Sequence, residues 1–275
     1  MLAVYGSEGK LDGRYLSATQ TVLRDIAKVT EQLNHSFGLY RNGAMGGTSR
    51  ISAHLHILEH QCVILTTRLL LYIFLQSKLG KSDPALMDWL QYVTVKALLH
   101  ICVESAQQIL RILSNLQEQG LLEMFLPFDM DTAFASTISL LMAAAIDLSI
   151  LHDHSHWSQR AYAILEYMNV RGNLSAGLIQ SELKQLDNEL AQLLVKGNMA
   201  MTVSTTPIRE PEQGSKPVGN IVPPVALAGY SRSLEPDFVE TFGENYELSP
   251  DQLMELANSL DLNSLTLPLP YMDNI

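Results

Sequence analysis

ISAHLHILEHQCVILTTRLLLYIFLQ, residues 51–76, is the stretch whose reading decides the fold. Its 26 residues carry no Gly or Pro. That is several times the length of a strand, so it reads as a helix of about seven turns. Ile51, Leu55, Leu58, Cys62, Leu65, Leu69 and Tyr72 step by four and three and form one continuous apolar face, expected to point into a core. From Leu69 to Leu75 the segment is apolar almost all round, as in a helix buried on several sides.

On the N-terminal side, residues 1–16 are polar and Gly-rich and are expected to be irregular. A first helix is expected over 17–36, with Val22, Leu23, Ile26, Val29 and Leu33 on one face, and a Gly-rich loop over 39–49. On the C-terminal side Gly80 reads as a stop, and Ser82-Asp83-Pro84 as a capped restart. The pattern is then helical nearly to Gly120, with Trp89 and Tyr92 as packing residues. Pro127 opens a turn, after which Asp129 or Asp131 can cap the next helix.

Residues 132–151 have the length of a membrane span. Asp147 inside it would cost about 2.5–3.5 kcal/mol at a bilayer centre, and Ala133, Ala135, Ala143, Ala144 and Ala145 suit close packing of helices. It is read as a buried helix, with no membrane partner. Ser155 is the expected cap of a helix through Trp157, Tyr162, Leu165 and Met168, which Gly172 ends. In the last core helix, 175–196, Ile179, Leu183, Leu186, Leu190 and Leu193 follow strict four-three spacing. Such a seam serves either a core or a homodimer. The fold class expected is all-α, a bundle of about seven helices over 17–196.

The character changes after 196. Pro207, Pro211, Pro217, Pro223 and Pro224 among Ser, Thr, Gly and Gln read as a disordered Pro-rich linker over 197–232. The formal net charge is −11, and the chain holds no Lys or Arg after Arg232. Nine acids lie beyond that point, so the first 232 residues are nearly neutral. Without a basic patch, direct nucleic-acid binding is not expected. The tail, 233–275, alternates acids with Phe238, Phe242, Tyr246 and Leu248. Ser249-Pro250-Asp251-Gln252 is a capping-box start, and Leu253, Met254, Leu256, Ala257 and Leu260 make one apolar face of a short helix. Alone it is too short to be stable in water. Leu253, Met254, Leu256 and Leu260 are therefore the candidate activation helix, folding into a partner's groove.

Two stretches resemble metal sites. His56-Ile57-Leu58-Glu59-His60 spells H-x-x-E-H, which on a helix sets two imidazoles and a general-base carboxylate as an inverted zinc peptidase would. Nothing in the sequence singles out the third protein ligand, so this enzyme stands as the alternative reading. His152, Asp153, His154 and His156 form the second cluster and read as a polar turn. Cys62 and Cys102 lie in helical patterns, which points away from a disulfide framework or structural zinc and towards a reducing compartment. The N-terminus lacks a basic region followed by an apolar run, so no signal peptide is expected. No Gly-rich phosphate loop, nucleophile elbow or dinucleotide fingerprint is present, and neither enzyme nor cofactor is expected.

Ser52, His54, Leu55, His56, His60, Gln61, Cys62, Ile64, Leu65, Thr67, Arg68, Leu70 and Leu71 resemble the signature helix of the fungal-specific transcription factor domain. This is the middle homology region of fungal zinc-binuclear-cluster regulators, written S-x-H-L-H-x-x-x-H-Q-C-x-I-L-x-T-R-P-L-L. Leu69 stands where relatives have proline. A second block is similar in order and spacing: Ala106, Ile109, Leu110, Leu113, Gly120, Leu121 and Leu122, then Phe125-Leu126-Pro127-Phe128-Asp129, then Ala133, Phe134, Ala135 and Ser136. The likeness covers residues 20–195. It implies a nuclear regulator of RNA polymerase II transcription, working through coactivator machinery and open to a small-molecule effector in its helical core. It also explains the paired histidines as residues of a non-enzymatic helix. Full-length relatives carry zinc in an N-terminal six-cysteine cluster, which two cysteines cannot build. The expectation is a fragment, a truncated gene product, or a regulator without that cluster.

Overall fold

A computed structural model describes residues 13–39, 49–80, 90, 92–147, 149–151, 153–202 and 249–260. They are 86% helical and contain seven helices and no strand. The helices are α1 (Gly13–Phe37), α2 (Arg50–Lys78), α3 (Val93–Glu118), α4 (Pro127–Ile146), α5 (His154–Val170), α6 (Leu174–Thr202) and α7 (Pro250–Ser259). The all-α bundle expected from the sequence is the fold. Of the linker expected over 197–232, residues 203–232 lie outside the described residues, as do the restart at Ser82-Asp83-Pro84, Trp89, His152 and the tail residues Phe238, Phe242, Tyr246 and Leu248.

α3 is the central helix, packed against α2, α4, α5 and α7. Val95, Leu98, Leu99, Ile101, Cys102, Ile109, Leu110, Ile112 and Leu113 are buried around most of its circumference. α2 lies against α3, α4 and α1, while α4 bridges to α5 and α6. α2 and α4 have the length and apolarity of membrane spans, but 56% and 61% of their most apolar windows are buried inside this bundle.

The expected inner face of α2 is its outer one. Ile51, Leu58, Cys62 and Tyr72 are exposed, and Leu55, Leu65 and Leu69 half-buried. The core side carries Ala53, Ile57, Val63, Ile64, Leu70, Leu71 and Phe74 together with His56, Glu59, His60, Thr66 and Thr67. For His56, Glu59, Thr66 and Thr67 the reason is hydrogen bonding: a polar side chain with a partner can be buried. Thr66 and Thr67 donate to the carbonyls one turn back, Cys62 at 2.7 Å and Val63 at 2.9 Å.

Several boundaries move. α1 begins at Gly13, inside the stretch expected to be irregular, because Tyr15 and Leu16 are buried and the Tyr15 hydroxyl donates to the Thr66 carbonyl at 2.9 Å. α4 begins at Pro127, so Asp129 lies within its first turn rather than capping it. It ends at Ile146, and Asp147 accepts from the Ser149 N–H at 2.8 Å beyond the helix. Asp153, not Ser155, caps α5 by accepting from the His156 N–H at 3.2 Å. α6 runs past residue 196 to Thr202. Tyr92 is half exposed rather than packed. Gly120 does end α3, with φ at 69°: its N–H reaches the Gln117 carbonyl and the Leu121 N–H the Leu116 carbonyl, the paired closure of a helix end that favours glycine.

The α6 seam is turned inwards. Leu183 and Leu190 are buried, and Ile179 and Leu186 pack against the core beside α4 and α5. Four of the five seam residues thus pack within the chain, while Leu193 is 46% exposed.

Candidate functional site: the docked C-terminal helix and the α2 histidines

The short helix forms where the sequence placed it. Ser249 Oγ accepts from the Gln252 N–H at 3.1 Å, and Gln252 Oε1 accepts from the Ser249 N–H at 3.0 Å, with Pro250 in the first turn. This capping box satisfies donors that a helix start leaves unpaired. The helix does not stand apart from the domain, however. Leu253, Leu256, Ala257 and Leu260 are all buried and Met254 partly so, in a seat made by α1 with a smaller contribution from α3.

Two α1 side chains fix its C-terminal end. Gln20 Nε2 donates to the carbonyls of Ala257 at 2.8 Å and Leu260 at 3.2 Å. Arg24 donates through Nε at 3.2 Å and Nη2 at 3.0 Å to Asn258 Oδ1. The last carbonyls of a helix have no partner within it and carry its negative end, so an amide donor and a guanidinium suit that place. Gln20 and Arg24 sit one turn apart on α1, a spacing too common on exposed helix faces to be noticed in the sequence.

The H-x-x-E-H residues are packed among α1, α2 and α3. His56 Nε2 lies 3.1 Å from the Phe37 carbonyl, to which it donates, leaving Nδ1 turned to Glu59 Oε2 at 3.3 Å. Glu59 Oε1 accepts from the Thr30 hydroxyl at 2.5 Å. Burial pushes the Glu59 carboxyl up, but His56, His60 and Thr30 together outweigh it and hold the group below its usual range. His60 is fully buried, its Nδ1 has no hydrogen-bond partner, and burial drives its pKa down to about 4. Both His56 nitrogens and both Glu59 oxygens are therefore committed to protein partners. Among the described residues no three His, Cys, Asp or Glu side chains converge as a metal site.

His54, two positions before that motif, has a different neighbour. Its Nε2 lies 2.8 Å from Oδ1 of Asp129, in the first turn of α4, and its ring meets Phe128 edge-on with centroids 5.6 Å apart. Burial raises the Asp129 carboxyl more than His54 lowers it. Arg50 and Glu123 form an ion pair across the same junction, and Ser52 donates to the Phe37 carbonyl. His54 and His56 thus tie α2 to α4 and to α1.

Comparison with protein-family models, curated proteins and solved structures finds no match. What fold and geometry define is a class: an all-α helical domain that carries its C-terminal amphipathic helix docked on its first helix.

Proposed function

We propose that this chain is the regulatory portion of a fungal transcription factor, acting in the nucleus through protein partners of the RNA polymerase II machinery. The observation that carries this reading is the contact of His54 with Asp129 at 2.8 Å. His54 belongs to the first transcription-factor-like block and Asp129 to the second, 75 residues away in sequence. Polar letters that look arbitrary in apolar helices become one tertiary junction, which supports treating both blocks as one pattern.

The charge distribution fits the same reading. A nearly neutral helical domain followed by an acidic, aromatic-studded segment suits binding to proteins rather than to phosphate backbones. In the docked state Leu253, Leu256 and Leu260 are covered, so activation through them requires release of α7 from α1. Coactivator and α1 then compete for one apolar face.

A reporter assay tests this. Residues 233–275 fused to a foreign DNA-binding domain should activate strongly, and a Leu253/Leu256/Leu260→Ala version should not. The whole chain fused in the same way should activate less than the segment alone. Silence from the isolated segment would remove the activation reading.

A further inference from the structure

At the junction of α3 and α5 the bundle gathers more positive charge than it neutralises. Trp157, in the first turn of α5, is 8% exposed. The Arg111 guanidinium from α3 lies 5.0 Å from its ring centre, and that of Arg160 from α5 lies 5.2 Å away. The two are therefore within about 10 Å of each other, inside the distance over which salt screens exposed charges. His156 meets the same ring edge-on at 5.1 Å.

The carboxylate at hand is heavily shared. Glu104 accepts from Arg111 at 3.3 Å and from Gln108 at 3.0 Å. With its amide turned to satisfy both neighbours, Gln107 donates to the other Glu104 oxygen at 3.2 Å and accepts from the Trp157 indole N–H at 3.0 Å. Arg160 makes no ion pair within 4 Å among the described residues; Glu118 attracts it only from a distance. Burial and the Arg111 charge both disfavour the ionised Arg160. A part-buried, uncompensated guanidinium beside a second one is costly unless an anion joins them.

We propose that Arg111, Arg160 and Trp157 form a seat for a small organic anion, a carboxylate or phosphate. Arg160 presents its unpaired fork to the anionic group, a geometry that matches two oxygens of a carboxylate or phosphate. The buried indole backs the two guanidiniums, and exposed His156 marks the entrance. The seat belongs to the domain whether or not the chain is a transcriptional regulator.

Trp157 reports on its own site. The full chain carrying Trp89→Phe, which leaves Trp157 as the sole tryptophan, is titrated with phenyl phosphate, benzoate and citrate at ionic strength held constant with chloride. Expected is a saturable change in emission with phenyl phosphate or benzoate, its midpoint weakened at least tenfold in Arg160→Gln and less in Arg160→Lys. Phenyl phosphate alone acting would assign phosphate, benzoate alone carboxylate. The same anions should raise the melting temperature of the unaltered chain, a readout independent of the Trp89 substitution. No response beyond that of chloride in both measurements, or an equal response in Arg160→Gln, would overturn the proposal.

Discussion

Gln20 on α1 donates its side-chain N–H to the carbonyl of Ala257 on α7 at 2.8 Å, across 237 residues of sequence. This bond and its partner to Leu260 close the end of a ten-residue helix that could not hold its shape alone. Gln20→Ala leaves both carbonyls without that donor, at about 1 kcal/mol for each lost bond. Amide exchange over Leu253–Leu260 should then speed up roughly 5–30-fold, while α3 amides stay protected. Unchanged exchange in α7 would mean that apolar burial alone holds it.

Neighbouring residues on α2 should behave oppositely. Ile57 is fully buried and Leu58 is 48% exposed. Ile57→Ala should cost about 2–5 kcal/mol, and Leu58→Ala within about 0.5 kcal/mol of nothing. Urea unfolding of the two variants reads the register directly; equal losses would contradict the orientation of the helix.

That pair also marks where sequence reading stops. Helix existence and the stops at Gly80, Gly120 and Gly172 were legible, because each is set by local chemistry and all three glycines have positive φ. The facing of α2 was not. Its second half is apolar all round, and its first half buries His56 and Glu59 by means of Thr30 and Phe37 from another helix. Four-three spacing has two outcomes: on α6 it builds the core through Leu183, one of the two readings it allowed, and on α2 it remains outside at Leu58 and Tyr72. Ser249 and Gln252 announced a helix, but nothing in them announced Gln20 as its anchor. Partners distant in sequence decide such questions, and one chain read alone does not display them.

His54 and Asp129 should be coupled. The Asp129 side chain is fully buried, whereas His54 reaches solvent at 20%. Removing His54 deprives a buried carboxylate of its partner, so His54→Ala should cost about 3 kcal/mol. Asp129→Asn keeps a hydrogen-bonding group in place and should cost about 1–2 kcal/mol. The double variant should cost less than the two single losses combined. Strict additivity in urea unfolding would show that the contact contributes nothing.

His60 gives the domain an acid sensitivity whose sign is fixed by its burial. Its pKa falls from 6.5 to about 4 on folding. A depressed histidine leaves the folded state neutral while the unfolded chain takes up a proton, so stability is lost as pH falls from about 6.5 towards 4. Between pH 7 and pH 5 this one residue should remove about 2 kcal/mol. Glu59 is depressed instead, and its contribution is lost below its unfolded value of 4.5, outside that window. His60→Gln should therefore flatten the dependence: the loss between pH 7 and pH 5 shrinks by about 2 kcal/mol relative to the unaltered chain. Urea unfolding at the two pH values measures it. Parallel curves for the two proteins would show that His60 takes up its proton as readily inside the fold as outside it.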